Sequence, residues 1–282
     1  MTKKLLDMGQ PHEMEIIEAF LAHLSRAGCT DATIASRREV LYRLNRELPF
    51  GIGQTSPGEL TQWLYRPGWS KNTKATYYAA LKAFYGWATD PADPWISGNP
   101  LDGLEPCART PGLPRPVTDE QLRRILGEAA EPFRTWSIIA AYQGLRAIEI
   151  SRLDREHITE QQLVVVRGKG GWPRAHDTDP AVWAAVKDLP AGPIARDETG
   201  DRATPFDVSV RTAHYFRYQM KMPGVSLHRL RHWMAVNVQR AYRDIRVTQT
   251  MLGHRSLSST QVYTMADDQQ QRAARATLPR FA

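Results

Sequence analysis

The stretch SLHRLRHWMAVNVQRAY, residues 226–242, carries the clearest chemical pattern of the chain and is predicted to form one helix. His228 and Arg231 are three positions apart and share a helix face, whereas Arg229 and His232 are expected to point elsewhere. A guanidinium group can bind two phosphate oxygens at once, and an imidazole beside it can donate to the same phosphate or accept a proton. This face is a candidate phosphate site, although surface basic residues with one core histidine are the simpler alternative.

The stretch MLGHRSLSSTQVYTM, residues 251–265, follows closely. Gly253 is expected to end one helix, and Ser256 is expected to cap the next. His254 lies in the turn between them, and Tyr263 follows nine residues later. A tyrosine late on a short helix can be moved toward a phosphate, but one tyrosine among ten can equally be a packing residue.

A further cation lies upstream, in the segment GLRAIEISRLD that begins at Gly144. Arg146 is predicted at a helix junction beside apolar residues, where a free charge is costly. Glu149, three positions on, is placed to hold this arginine or an adjacent donor. A structural ion pair between the two residues is the plainer alternative.

A short β-hairpin is predicted between these helical segments. Leu163–Val166 is short and rich in β-branched residues, Gly-Lys-Gly-Gly is predicted to form a turn, and the return strand carries Arg174 and His176. Lys169 stands at the predicted tip, from which a lysine can reach into a DNA groove or remain solvated.

Composition limits the class of protein. The chain has 282 residues, 42% of them hydrophobic and 24% charged, as is ordinary for a globular protein. It has no apolar run near the ~20 residues of a membrane helix and no signal-peptide pattern. Cys29 and Cys107 lack the spacing of metal ligands. We therefore expect a soluble protein of a reducing compartment.

The excess positive charge lies in the second part of the chain. The net charge is +7, with eleven Lys and Arg against twelve Asp and Glu in residues 1–105 and twenty-six against eighteen in residues 106–282. This balance favours a polyanionic partner. An anionic phosphoryl transition state is stabilised by fixed cations, and arginine and histidine are abundant here, whereas carboxylate clusters typical of metal sites are not.

The predicted fold is mostly α (α+β), in two domains. After a short tail, residues 1–11, a bundle of four helices occupies residues 12–101. Residues 102–117 hold four prolines and two glycines without a period and are predicted to be a linker. Residues 118–282 are predicted to form a mixed domain with a small antiparallel sheet and a helical tail from about residue 266.

The last helix of the first domain carries a predicted basic and aromatic stripe, separate from its apolar stripe. Such a stripe suits contact with DNA phosphates, and a solvated lysine face is the alternative. With two arginines of the second helix, the candidate DNA-binding residues are Lys71, Lys74, Tyr78, Lys82, Arg37 and Arg38.

Together these segments resemble the tyrosine recombinase family, which includes phage integrases, Cre and the bacterial Xer proteins. The resemblance rests on an ordered set: GLRAIE, then GKG in a hairpin, then HRLRH, then LGHRSLSSTQVYT. The first domain is similar to the family's helical core-binding domain, so the resemblance covers about residues 12–282. The return strand PRAHDTD is more polar than the apolar strand usual in the family.

The resemblance implies how the phosphate is held. Arg146 and Arg231 would clamp the scissile phosphate, and Glu149 would support the first arginine. His228 would act on the phosphate and assist proton transfer at the nucleophile. His254 would donate to a non-bridging oxygen.

The resemblance also implies the reaction. Tyr263 would form a 3′-phosphotyrosine, and Lys169 would protonate the departing 5′ oxygen. Neither metal nor ATP is needed, because the ester conserves the bond energy. Exchange would proceed in a homotetramer on double-stranded core sites, through a Holliday junction, with a possible directionality factor and with control by the C-terminal tail.

Among the members of this family a phage-type integrase is favoured, with an Xer-like dimer-resolving recombinase as the alternative. Because the chain begins close to the core-binding helices, we expect a two-domain enzyme without an arm-binding domain, acting in the bacterial cytoplasm near the nucleoid. A type IB topoisomerase, or a helical DNA-binding regulator without catalysis, would also be compatible with this set of residues.

Overall fold

The computed structural model describes residues 13–110, 112–166 and 174–253. The fold is mostly helical with one small antiparallel sheet, which confirms the predicted class. The chain divides into two compact units, Met1–Pro111 and Gly112–Ala282. No helix within the described ranges is long and apolar enough to cross a membrane.

The first unit is built from helices that begin at side-chain caps. Thr30 caps the second helix, and Ser56 and Glu59 form a capping box that starts the third. Apolar faces of the four helices pack into one core that includes Phe20 and Phe84, both at most 1% exposed. The helices are α1 (Glu13–Arg26), α2 (Asp31–Glu47), α3 (Pro57–Leu64) and α4 (Lys71–Ala88).

The chain after α4 folds back along the helix. Tyr78 donates its hydroxyl to the carbonyl oxygen of Leu104 at 3.2 Å. Asn72 and Thr110 form a reciprocal pair of hydrogen bonds, each 3.0 Å long. Residues 104–110, which belong to the predicted linker, therefore cover part of the α4 face that is expected to contact DNA.

The second unit surrounds a core that contains the fully buried Trp136 and Phe216. Within it α10 packs against α6 and α7 packs against α9. Its helices are α5 (Asp119–Glu128), α6 (Phe133–Tyr142), α7 (Ala147–Ser151), α8 (Pro180–Val186), α9 (Pro205–Tyr218), α10 (Leu227–Tyr242) and α11 (Ile245–Leu252). Its strands are β1 (Gln162–Val165) and β2 (Arg174–Asp177).

The predicted hairpin strands pair in an antiparallel register, with Leu163 opposite His176 and Val165 opposite Arg174. Arg174 and His176 of β2 are half-buried, whereas Ala175 and Asp177, which alternate with them, are exposed. This alternation has the period of two expected for a strand, so Arg174 and His176 share its inner face.

Candidate active site

The first predicted arginine lies at a sharp turn between two helices. After α6 the chain passes through Gly144 in the left-handed region, at a φ of 65°. Arg146 then caps α7: its backbone N–H donates to Glu149 Oε2 at 2.8 Å and its Nη1 donates to Glu149 Oε1 at 3.1 Å. Glu149 is 1% exposed, so the predicted pairing of arginine and acid is formed by a buried carboxylate.

The second predicted arginine connects the ends of two other helices. Arg231 is 2% exposed. Its Nη1 donates to the carbonyl oxygen of Gly144, and its Nη2 donates to that of Leu252 at 2.8 Å. The same Nη1 lies 3.8 Å from Glu149 Oε2, so α10 brings Arg231 to the carboxylate that holds Arg146.

A third arginine, which the motifs do not predict as part of the site, completes the cluster. Arg174 Nη1 donates to Glu149 Oε1 at 2.9 Å, and its Nε donates to His176 Nε2 at 2.9 Å. The signal for it lies in the unusual polarity of PRAHDTD, whose Arg and His recur with the period of a strand.

The cluster carries more positive than negative charge. Burial by itself raises the pKa of Glu149, but the hydrogen bonds from Arg174 and from the Arg146 backbone, with the charges of both arginines, lower it below its ordinary value. The carboxylate is therefore ionised at neutral pH. Among the described residues, three guanidinium groups form ion pairs with this one carboxylate, which leaves an excess of two positive charges for an anion to neutralise.

The predicted His228 lies beside the arginines, but not alone. Its Nε2 lies 2.9 Å from the Nε2 of His232, with the rings near perpendicular at 76°. The expectation that His232 points elsewhere is wrong, because residues four apart on a helix are neighbours. Burial first, and then the charges of Arg231 and Arg146, lower the pKa of His228. An imidazole with a lowered pKa is neutral at pH 7 and can accept a proton.

Three of the predicted site residues lie outside the described residues: Lys169, His254 and Tyr263. The structure therefore brings together Arg146, Glu149, His228 and Arg231, and the predicted nucleophile, the predicted general acid and the second histidine are not among the residues that it describes. Within the described ranges, no three His, Cys, Asp or Glu side chains are grouped as metal ligands.

The candidate DNA-binding residues of α4 differ in exposure. Lys71 and Lys82 are exposed, whereas Lys74 is half-buried and donates to the carbonyl oxygen of Tyr65 at 3.2 Å. Tyr78 is 9% exposed. Its assignment to an exposed stripe is corrected, because the chain that follows α4 packs over it.

The two arginines of α2 make contacts within the first unit. Arg37 is half-buried, with its guanidinium carbon 6.0 Å from the centre of the Phe20 ring. Arg38 is exposed, and its Nη2 lies 3.9 Å from Glu18 Oε2. Neither contact removes the charge from solvent, so both arginines stay candidates for DNA contact.

Residues 115–270 match the sequence profile of the Phage integrase family. The tyrosine recombinase XerC of Corynebacterium efficiens is 30% identical over 286 aligned residues, which cover 93% of this chain and 90% of the relative.

Solved structures show the same fold. A post-cleavage complex of the XerH site-specific recombinase with a palindromic difH substrate has a TM-score of 0.73 at 16% identity, covering 98% of this chain and 99% of the other. A lambda integrase dimer bound to a COC′ core site has a TM-score of 0.72 at 16% identity, covering 90% and 95%. The profile match spans more than half of the chain. The chain therefore belongs to the Phage integrase family of tyrosine recombinases, and it is a tyrosine-type site-specific recombinase.

Proposed function

We propose that this recombinase cuts and rejoins double-stranded DNA at short core sites through a 3′-phosphotyrosine intermediate. The observation that carries the proposal is the cluster of Arg146, Arg174 and Arg231 around the single carboxylate of Glu149. A phosphodiester is the anion that this excess of charge suits, because its transition state spreads negative charge over the non-bridging oxygens.

In the proposed first step the Tyr263 oxygen attacks the scissile phosphorus. The bond from phosphorus to the 5′ oxygen breaks while the bond to the tyrosine oxygen forms. The phenol proton passes to His228, and Lys169 gives a proton to the departing 5′ oxygen. A base is needed because a free tyrosine, with a pKa of about 10, is mostly protonated at neutral pH.

The remaining cations would act on the phosphate itself. The Arg146 side chain is 25% exposed and pairs with Glu149 through Nη1, which leaves its other edge to face a phosphate. Arg146 would bind one non-bridging oxygen of the phosphate, and Arg231 and His254 would bind the other. The reaction reverses when the 5′ hydroxyl of another strand attacks the phosphotyrosine, so neither ATP nor metal enters the scheme.

We further propose that exchange takes place in a homotetramer, through a Holliday junction, with the segment from about residue 266 controlling cleavage across protomers. Truncation after Met265 is expected to impair both tetramer assembly on paired sites and recombination. Intact recombination by the truncated enzyme would rule out this role. The site of action would be the nucleoid of a bacterial cytoplasm.

Trapping of a covalent adduct tests the central proposal. A core site with a nick next to the cleaved bond releases a short strand after cleavage, so the tyrosine adduct accumulates and migrates slowly on a denaturing gel. Wild-type enzyme is expected to form the adduct, and Tyr263→Phe to form none. The matched control is Tyr242→Phe, since Tyr242 is 68% exposed on α10 and is expected to react like wild type.

The substitutions Arg146→Ala and Arg231→Ala are expected to reduce adduct formation by two orders of magnitude or more, roughly as for loss of a donor to an anionic transition state. Unchanged adduct in Tyr263→Phe would support a different nucleophile, whereas absence of adduct with wild-type enzyme would support a non-catalytic DNA-binding role. Supercoil relaxation by monomers, without intermolecular exchange, would instead support a type IB topoisomerase.

Two biological roles are proposed for this recombinase, namely resolution of replicon dimers and phage-type integration. The match to tyrosine recombinase XerC over 93% of this chain favours resolution of replicon dimers over the phage-type integration that the motifs favour. Selection of the core site from random duplexes, followed by its location in the source genome, tests this. A single site near the replication terminus supports dimer resolution, and a site at the boundary of a mobile element supports integration.

A further inference from the structure

We propose that Arg174 is a positioning residue for the phosphate clamp: through the Glu149 oxygen that it shares with Arg146, it fixes where the Arg146 guanidinium lies. The inference rests on the proposed function, since it assigns a task within the same site. It concerns a residue of the hairpin's return strand, not of the helices that carry the two clamp arginines.

The shared oxygen is the central observation. Glu149 Oε1 accepts a hydrogen bond from Arg174 Nη1 at 2.9 Å and another from Arg146 Nη1 at 3.1 Å. Because Arg174 and Arg146 donate to the same oxygen, the orientation of the Glu149 carboxylate depends on both arginines. Removal of Arg174 would let the buried carboxylate rotate toward Arg146 and Arg231, and the guanidinium of Arg146 would shift with it.

Contacts on the other side hold Arg174 in place. Its Nε donates to His176 Nε2 at 2.9 Å, and both side chains belong to the inner face of β2. A Cβ atom placed on Gly253 would lie 2.6 Å from Arg174 Nε, so the guanidinium packs directly against the backbone where α11 ends. A planar group held at both edges has little freedom to rotate, which suits a residue that orients another.

The cost of this arrangement argues against a purely structural role. The Arg174 side chain is 18% exposed, and its Nη2 has no hydrogen-bond partner among the described residues. A buried ion pair is often no more stabilising than an apolar replacement of similar volume. An apolar residue at position 174 would therefore serve the fold equally well. We attribute the presence of a charged residue there to its effect on the orientation of Arg146.

The charge of the scissile phosphate provides the test. A methylphosphonate at the cleaved position replaces one charged oxygen by a methyl group, so that an arginine clamp has less charge to stabilise. Single-turnover cleavage of nicked core sites is measured with an ordinary phosphate and with the methylphosphonate. The variants are Arg174→Ala, Arg174→Lys, Arg146→Ala and Arg155→Ala.

Arg155→Ala is the matched control for structural loss. Arg155 donates to the carbonyl oxygens of Ile158 and Lys187 and makes no contact with Glu149 among the described residues. Its removal costs hydrogen bonds in the same unit without disturbing the clamp. The rate of cleavage by this variant is expected to stay within about twofold of wild type on both substrates, as for a site uncoupled from the clamp.

Arg174→Ala is expected to cleave the ordinary phosphate on the order of tenfold to a hundredfold more slowly, as for misplacement of a reacting group by a fraction of an ångström to an ångström. On the methylphosphonate the deficit is expected to shrink, in parallel with that of Arg146→Ala. Arg174→Lys, which keeps the charge and one donor, is expected to recover part of the rate. The affinity for DNA, measured separately, should change little.

Two results would overturn the inference: cleavage by Arg174→Ala at the wild-type rate, or an equal deficit on both substrates. Thermal unfolding of each variant shows whether a slow variant is folded, and Arg174→Lys keeps the test valid if the alanine variant is not. Absence of adduct with wild-type enzyme would be a failure of the proposed function, whereas wild-type cleavage with an unaffected Arg174→Ala would be a failure of this inference alone.

Discussion

His228 Nε2 and His232 Nε2 lie 2.9 Å apart, so one imidazole of the pair donates a hydrogen bond and the other accepts it. Two protonated rings cannot keep this contact. Burial, the adjacent His228 and Arg231 together lower the pKa of His232 to about 4. The pair is therefore built for the neutral state of both rings.

Stability is expected to fall with acidity in a defined window. An unfolded histidine binds a proton near pH 6.5, whereas His228 and His232 have lowered pKa values in the fold, so the unfolded state gains protons first. The urea midpoint of wild type should drop steadily from pH 6.5 to about 5. Carboxylates such as Glu149, whose ordinary pKa is 4.5, act only at lower pH.

The check is the variant His232→Gln, whose urea midpoint is expected to depend less steeply on pH over the same window. Part of the dependence should persist, because burial also lowers the pKa of His176. The exposed His214 provides the control, since His214→Gln leaves the pair intact and should keep the wild-type slope. A slope in His232→Gln as steep as that of wild type would contradict the assignment.

Removal of the buried acid is expected to destabilise the second unit strongly. Glu149→Ala leaves three buried or half-buried guanidinium groups without their shared carboxylate, which should lower the free energy of unfolding by about 3 to 5 kcal/mol. Glu128→Ala breaks an exposed pair with Arg124 and should cost less than about 1 kcal/mol. Equal losses in urea unfolding of the two variants would be incompatible with the central role of Glu149.

The turn before Arg146 is expected to tolerate only glycine. At Gly144 the backbone has a φ of 65°, and an added Cβ would collide with Sδ of Met234. Gly144→Ala should therefore lower the free energy of unfolding by roughly 1 to 3 kcal/mol and slow cleavage by moving Arg146. Gly127→Ala, within α5 and with open space around the added Cβ, should be neutral or raise stability by up to about 1 kcal/mol.

DNA binding is expected to distinguish the exposed lysines of α4 from its buried tyrosine. Lys71→Ala and Lys82→Ala should each reduce the slope of log K against log salt by about 0.9, as for loss of one phosphate contact. Tyr78→Phe should leave that slope unchanged and lower the free energy of unfolding by about 1 kcal/mol, because it removes only the hydrogen bond to Leu104. Salt titrations of a core-site duplex measure the slope for all three variants, and urea unfolding measures the stability of Tyr78→Phe.

Much of the fold follows from local signals that the sequence displays. Thr30 and Thr118 cap the helices that follow them with their side chains, and Gly144 and Gly253, which lack a Cβ atom, adopt the left-handed conformation after helix ends. The pairing of Arg146 with Glu149 is predictable for the same reason, since three positions separate the two residues on one turn.

The misplaced residues depend mainly on contacts that local patterns do not encode. Tyr78 is spaced from the lysines of α4 as residues on one helix face are. However, the chain that follows α4 packs over Tyr78. The expectation that His232 points away from His228 is instead an error of helix geometry, because residues four positions apart are neighbours on one helix face. The contact of Arg174 with Glu149 joins residues 25 positions apart, and only the folded hairpin brings them together.

The arginine cluster has more positive than negative charge, and this excess has opposite effects on thermal stability without DNA and on the proposed catalysis. Without DNA the three guanidinium groups repel one another around a single carboxylate, and a bound phosphate relieves that repulsion. Selection for heat resistance in the absence of DNA would therefore favour loss of the partly exposed Arg146, although this arginine is proposed to bind the scissile phosphate. The same selection in the presence of a core-site duplex would retain it.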